Sequence, residues 1–460
     1  MLTRLEIDGF KNLRRVDVSF GPFTCIVGLN AAGKSNLFDA ISFLALLADR
    51  SFGESAELVR GTENERTADP RDLFWNGWTD PSPVMRLAAE MIVPREVEDD
   101  LGQQATASIT FLRYEIELGY ETASSGVRNG RITLGSERLS HITQSLAPSS
   151  LRFEHSPSKF RREVVQGRRS GKEFISTVGT TVQVHQDGGS RGKPLPASTT
   201  RASTSVLSTI RTKDSPTILA ARREMQQWRR VALEPTAMRS ADRFSDASEI
   251  GADGRHIPAA LFRLASRGSN ADLLYGRVTS RLNDLLGLGV ARVWVDEDNV
   301  RELLTLRVQE RSGVTVPARS LSEGTLRFLA LCTMLEDDSV RGLLCMEEPE
   351  NGLHPANLPA MMNLLKDIAV DAQESPGPNN PFRQVIVNTH APGVVDLVRA
   401  DDLLIARPGN SVNGPPVSFA SIVGTWRARA QPHMVVGRGA LLPYASPPQG
   451  QLQFEIPEAS

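Results

Sequence analysis

Residues 28–35, Gly28-Leu29-Asn30-Ala31-Ala32-Gly33-Lys34-Ser35, constrain this chain more than any other stretch. They follow the apolar, β-prone run Phe23-Thr24-Cys25-Ile26-Val27 and precede Leu37, Ile41, Leu44 and Ala48 at helical spacing. The local reading is therefore strand, loop, helix. The spacing G-x-x-x-x-G-K-[ST] in that context lets backbone N–H groups converge on phosphate oxygens at a helix N-terminus, where the peptide dipoles add roughly half a positive charge. On this chemistry Lys34 reaches β- and γ-phosphates, and the Ser35 hydroxyl joins the shell of a Mg²⁺ ion. Asn30, Gly33 and Asn36 complete the expected nucleotide cradle. A chance glycine turn is the plainer alternative, and the flanking elements weigh against it.

Three further segments carry candidate chemistry. Glu347 and Glu348 end the buried-strand run Leu343-Leu344-Cys345-Met346, at the carboxyl end where ligands bind in open α/β sheets. Adjacent strand residues face opposite ways, so the two carboxylates can hold different tasks, Glu347 towards a metal and Glu348 towards an attacking water. Leu321-Ser322-Glu323-Gly324-Thr325 opens a helical run through Leu326, Leu329, Ala330 and Thr333. Ser322 is suited to cap that helix; a second anion site at the same helix end is the functional reading. His390 follows the strand Val385-Ile386-Val387-Asn388, again at a carboxyl end, although a lone histidine there is more often structural.

In order along the chain, Gly28–Ser35, Leu321–Thr325, Leu343–Glu348, Glu350–Pro355 and Asn388–His390 resemble the Walker A, signature, Walker B, D-loop and switch-histidine series of ABC-type ATPases. More closely they resemble the RecF/SMC/OLD-like branch, the bacterial "AAA family ATPases", whose opening is similar to Ile7-Asp8-Gly9-Phe10-Lys11-Asn12. The resemblance covers residues 1–50 and 290–405 well and the interval loosely. It implies an α/β fold: an ABC-type P-loop ATPase head, a mixed sheet with flanking helices and an antiparallel β subdomain. It implies that two heads sandwich two ATP–Mg²⁺ units, with Lys34 and Ser35 from one protomer and Ser322 and Gly324 from the other. Glu347 takes the metal-side position, where Asp is commoner; Glu348 polarises the water; His390 senses the γ-phosphate. No convincing Q-loop glutamine is found, Gln103 and Gln104 being poor candidates.

The expected division is a split head (1–50 and 290–405), a β-rich lobe with flexible basic loops (51–216), a helical insertion (217–289) and an irregular Pro-rich tail (406–460). The interval lacks sustained heptads, so a compact α/β insertion replaces the coiled coil of SMC-type proteins. After His390 no Asp-x-Asp follows, so an intrinsic TOPRIM nuclease is not expected. Lys+Arg 52 against Asp+Glu 54, a net charge of −2, excludes nucleic-acid coating by global charge. A local patch at Arg161, Arg162, Arg168, Arg169 and Lys172 is a candidate phosphate-backbone contact, with a solvated loop as the plainer reading.

Three scattered cysteines, Cys25, Cys332 and Cys345, make neither a disulfide framework nor a zinc spacing and read as small buried hydrophobes. The opening Met1–Asp8 mixes charge with alternation, unlike a signal peptide, and no apolar run approaches a membrane span, so a cytoplasmic location is expected. The leading functional expectation is an ATPase whose head dimerisation, or a higher assembly, switches a separate effector such as a nuclease or toxin in an anti-phage or toxin–antitoxin-like module. A RecF-like repair factor clamping duplex DNA and a nucleotide-binding scaffold with negligible turnover are the alternatives.

Overall fold

The computed structural model describes residues 1–29, 32–59, 69–122, 130–167, 171, 173–187, 195–267, 270–287, 289–409 and 416–444. The run Phe23–Val27 is a strand with every residue buried, which is what a strand covered on both faces requires. It lies in a seven-stranded sheet ordered Arg229–Val231, Gly342–Glu347, Arg383–Thr389, Phe23–Val27, Leu403–Pro408, Val417–Ile422 and Val435–Val436. The first five are parallel and Val417–Ile422 runs antiparallel to its neighbour. The helix Lys34–Leu47 covers one face through Leu37, Phe38, Ile41, Leu44 and Leu47, the helical repeat seen in the sequence. Helix Glu323–Glu336 covers the other, burying Leu326, Leu329, Ala330 and Thr333.

A second sheet of eight antiparallel strands contains Leu2–Asp8, Val16–Ser19, Val84–Ile92, Phe111–Glu121 and Arg131–His141, extended by three short strands between Ile175 and Ser198. Its alternation is clean in Phe111–Glu121, where Tyr114, Ile116 and Leu118 point inward. The opposite face is a ladder of ion pairs: Arg4 to Asp17 at 2.8 Å, Arg113 to Glu6 at 2.8 Å and to Glu115 at 3.1 Å. Cross-strand pairs of opposite charge stabilise an antiparallel sheet modestly. Mixed sheet, flanking helices and antiparallel β subdomain together make the expected ABC-type head.

The region expected to be helical contains helices Pro216–Gln226, Ile257–Arg267 and Ala271–Leu286, but also the strand Arg229–Val231. That strand pairs with Leu344–Met346 at the edge of the parallel sheet, so tertiary pairing overrides its weak local pattern. The longest helix among the described residues, Ala271–Leu286, has 16 residues, and it packs on a small antiparallel sheet built from Val290–Asp298 and Leu303–Glu310. Beyond residue 405 the sequence suggests irregular chain, yet Val417–Ile422 and Val435–Val436 are strands. The fully buried Arg427 anchors this segment, donating to Ser19 O at 2.8 Å and Thr24 Oγ1 at 2.7 Å. All three cysteines are free and buried, and desolvation raises each thiol's pKa, so they act as core side chains.

One buried carboxylate fixes the β lobe. Glu137 accepts from Val206 N at 2.6 Å, Leu207 N at 2.8 Å and Tyr114 Oη at 3.1 Å. Burial outweighs these donors and pushes its pKa up to about 7. The folded carboxyl therefore holds its proton more tightly than the unfolded one, and stability is lost as pH rises from the ordinary carboxylate value through about 7. Glu137→Gln sets an amide N–H against a backbone N–H and should lower stability by about 1–3 kcal/mol. It should also flatten the fall in melting temperature between pH 5 and pH 8; thermal denaturation at the two pH values reads both effects.

Candidate functional site

Parallel register brings three chain segments to one edge. Val27 pairs with Thr389 and Glu347 with Asn388, so Gly28, Glu348 and His390 emerge side by side at the carboxyl ends of neighbouring strands. Gly28 N donates to Thr389 O at 3.3 Å, tying the phosphate-loop turn to the histidine strand. Gly33 caps the following helix at φ 84°, a left-handed conformation that glycine adopts without strain. A Cβ there would lie 2.2 Å from Val417 Cγ2 and 2.9 Å from Asn12 Nδ2.

Lys34 is 6% exposed, and its ammonium donates to Gly28 O at 2.6 Å and Leu29 O at 3.0 Å. Burial lowers its pKa, while Glu348, Glu350 and Glu347 oppose that shift. A nearly buried ammonium whose hydrogen bonds among the described residues go to neutral carbonyls is suited to receive phosphate oxygens. Ser35 Oγ stands 3.5 Å from Glu347 Oε2. A hydroxyl and a carboxylate oxygen at the end of a helix N-terminus form the hard-oxygen set that Mg²⁺ takes, and they fit that ion. Asn36 Nδ2 donates to Asn12 Oδ1 at 2.7 Å, joining the helix to the loop after the first strand. Asn30 lies outside the described residues.

Glu348 has φ 43°, unusual for a residue with a side chain, and is held there from several directions. Its N–H reaches Asn388 O at 3.0 Å and Asn388 Oδ1 at 3.1 Å. Oε1 meets His390 Nδ1 at 2.7 Å, and Oε2 accepts from Asn351 Nδ2 at 2.7 Å. Glutamate and histidine, separate motifs in the sequence, are thus a hydrogen-bonded pair. Glu350 is 6% exposed, accepts from Thr389 Oγ1, and its pKa is raised by burial.

Ser322 caps its helix, accepting from Thr325 N at 3.2 Å, and a Cβ on Gly324 would meet Leu353 Cδ2 at 3.0 Å. Among the described residues neither makes a hydrogen bond to the phosphate loop, and Gly324 lies against Leu353. Of the basic cluster, Arg161 and Arg162 sit on a short helical segment anchored by buried Phe160. Arg168, Arg169 and Lys172 lie outside the described residues. Gln104 hydrogen-bonds Glu98 at 3.0 Å on a short exposed hairpin. Among the described residues one group away from this edge has metal-type donors, Asp242, Asp246 and His256, and its carboxylates are engaged locally: Asp242 meets His256 Nδ1 at 2.8 Å and accepts from Ala259 N at 3.0 Å, and Asp246 accepts from Arg243 N at 2.7 Å.

Sequence reasoning missed Arg230, Asp39 and Lys11. Asp39, fully buried on the helix after the phosphate loop, is flanked by Lys11 Nζ at 2.7 Å and Arg230 Nη1 at 3.1 Å. The other Arg230 nitrogen lies 2.8 Å from Glu347 Oε1 as an ion pair, its N–H poorly aligned for a hydrogen bond. Lys11 lies in the family-like opening, and Arg230 in a stretch, Trp228–Arg239, that resembles the same branch but reads as helix, so the sequence assigns neither a role.

The family model described as AAA_21, "AAA domain, putative AbiEii toxin, Type IV TA system", matches residues 23–87 and 169–396. Segments are also similar to the DNA replication and repair protein RecF of Lactobacillus acidophilus, at 40% identity over 74 residues, 16% of each chain. RecF of Roseiflexus castenholzii is 30% identical over 116 residues, 25% of this chain and 29% of that one. The chain thus spans about a sixth of the length of the first of these relatives. Among solved structures, an SMC head bound to the C-terminal winged-helix domain of ScpA aligns over 91% of this chain and 98% of that one, with 14% identity and a TM-score of 0.48. Gly33→Ala should lower the melting temperature by several degrees even without nucleotide, about 2–3 kcal/mol, because Val417 and the left-handed turn are disturbed together. Differential scanning calorimetry of the nucleotide-free variant checks it.

Proposed function

The chain belongs to the AAA_21 family of AAA domains, an ABC-type ATPase of the RecF/SMC branch, and on that premise we propose that it hydrolyses ATP and uses nucleotide-dependent head association to switch a separate effector protein. The observation that carries this reading is the meeting of Lys34, Ser35, Glu347, Glu348 and His390 at the carboxyl ends of three adjacent parallel strands. In this reading Lys34 exchanges its two carbonyl partners for β- and γ-phosphate oxygens. Ser35 and Glu347 hold Mg²⁺, which when bound withdraws charge from the phosphates. Glu348, whose carboxylate is fixed by Asn351 and His390, orients the attacking water and accepts its proton. His390, on the far side of that carboxylate, relays the state of the γ-phosphate to the helical turn that follows it.

In this reading Ser322 and Gly324 contact the nucleotide of a second head, and the absence of a hydrogen bond from either to the phosphate loop among the described residues supports it. A homodimer with two sandwiched ATP molecules satisfies that geometry, and ATP then links the heads until hydrolysis releases them. The family description, which names a putative toxin and a toxin–antitoxin system, supports a toxin–antitoxin-like setting for this switch. The RecF segments favour a second reading, a head dimer that clamps duplex DNA, with Arg161, Arg162, Arg168, Arg169 and Lys172 as backbone contacts. ATP turnover that rises with duplex DNA at low salt, and not with a partner protein, selects the clamp.

Lys34→Ala should abolish ATP binding in a filter or fluorescence assay. Glu348→Gln should retain binding, lower turnover about 100-fold or more, and accumulate an ATP-bound dimer in light scattering. An unchanged hydrolysis rate in Glu348→Gln removes Glu348 from the chemistry, and a wild-type protein that binds ATP without turnover is a scaffold instead.

A further inference from the structure

The two oxygens of Glu347 face different partners. Oε2 looks towards Ser35 Oγ at 3.5 Å, on the metal side, and Oε1 is buried against Arg230 Nη2 at 2.8 Å. Arg230 comes from Arg229–Val231, the edge strand beside Gly342–Glu347, and the register Val231 to Met346 sets it next to the glutamate. Its guanidinium does not float: the other terminal nitrogen is 3.1 Å from Asp39 Oδ1, and Asp39 is fully buried on the helix that begins at Lys34. Lys11 closes the row at 2.7 Å from Asp39 Oδ2. Lys11, Asp39, Arg230 and Glu347 therefore alternate in charge across four separate segments of the chain.

We propose that Arg230 is a positioning residue for the metal: by holding Oε1 of Glu347 it aims Oε2 at the ion shared with Ser35. The inference rests on the ATP–Mg²⁺ reading of the site. A glutamate has three side-chain torsions, and a partly exposed one at a strand end samples many carboxylate positions unless an outside group restrains it. Arg230 supplies that restraint on the oxygen not needed for the ion, so it does not compete with the metal. A planar guanidinium spanning two carboxylates is the group for this, since its two terminal nitrogens hold charge against Glu347 and a hydrogen bond on Asp39 at once, a span that a lysine's single ammonium lacks. Groups that orient metal-bound carboxylates typically change metal affinity by about 10–100-fold when removed. The restraint is specific to the length of glutamate: an aspartate at 347, one methylene shorter, draws back from Arg230 and no longer depends on it.

The test is binding of a fluorescent ADP analogue to the full chain, with Mg²⁺ titrated in and with EDTA as the metal-free reference. In wild type, Mg²⁺ tightens nucleotide binding with a measurable half-saturation. Arg230→Gln should raise that half-saturating Mg²⁺ concentration about tenfold and leave affinity in EDTA unchanged. Arg230→Lys should behave like Arg230→Gln despite keeping the charge. In a Glu347→Asp background the Arg230→Gln effect should vanish. A variant that weakens binding equally with Mg²⁺ and with EDTA assigns Arg230 a merely structural role, and unchanged Mg²⁺ dependence overturns the proposal as well. Wild-type protein that binds no nucleotide, or binds it without regard to Mg²⁺, instead sinks the ATPase reading on which the proposal stands.

Discussion

The parallel pairing of Phe23–Val27 with Arg383–Thr389 is the constraint from which the rest follows. These two segments are more than 350 residues apart in sequence, and closing such a loop carries a conformational-entropy cost that grows only slowly with its length. Both strands are buried at every position, so apolar burial offsets that cost. Once the register is set, Gly28 and His390 have no freedom to be anywhere but adjacent. Gly342–Glu347 joins on the other side of Arg383–Thr389 with its own fixed register, which adds Glu347 and Glu348 to the same edge. The site is thus a consequence of backbone pairing, and the side chains only refine it.

Lys34, Glu347 and Glu348 each meet a partner within the protein. Lys34 rests on two carbonyls of its own loop, Glu348 on His390 and Asn351, and Glu347 on Arg230. Leaving any of them buried and unmatched would cost several kcal/mol, more than many domains can spare. The arrangement has a consequence for ligand affinity. Nucleotide binding becomes an exchange of partners, so each new contact contributes only its excess over the one it replaces.

The phosphate loop and its flanking strand and helix were legible in the sequence because local spacing alone encodes them, and the strand at Leu343–Met346 and the helix from Glu323 match the same periodic signals. The ordered segment after residue 405 was not legible. Its strands are short and interrupted by Pro and Gly, and what holds it is Arg427, whose burial depends on Ser19 and Thr24 some 400 residues away. Arg230 was hidden for a similar reason. Two arginines before a valine resemble a solvated helix face, and only the neighbouring strand turns that position inward.

Glu348 shows where local rules yield to tertiary ones. A left-handed φ at a residue with a side chain costs about 1–2 kcal/mol, and glycine would remove the strain. The conformation persists because Asn388 takes the Glu348 N–H through both its carbonyl oxygens, backbone and side chain. The strand ends at Glu347, and the left-handed turn at Glu348 redirects the chain immediately after it. Glu347 keeps its strand geometry and faces Ser35 and Arg230, while Glu348 turns to His390. Simple alternation along a strand predicts two faces for two glutamates; the strained turn makes those faces address different elements, which two carboxylates need if one is to hold a cation and the other to remain available for a proton.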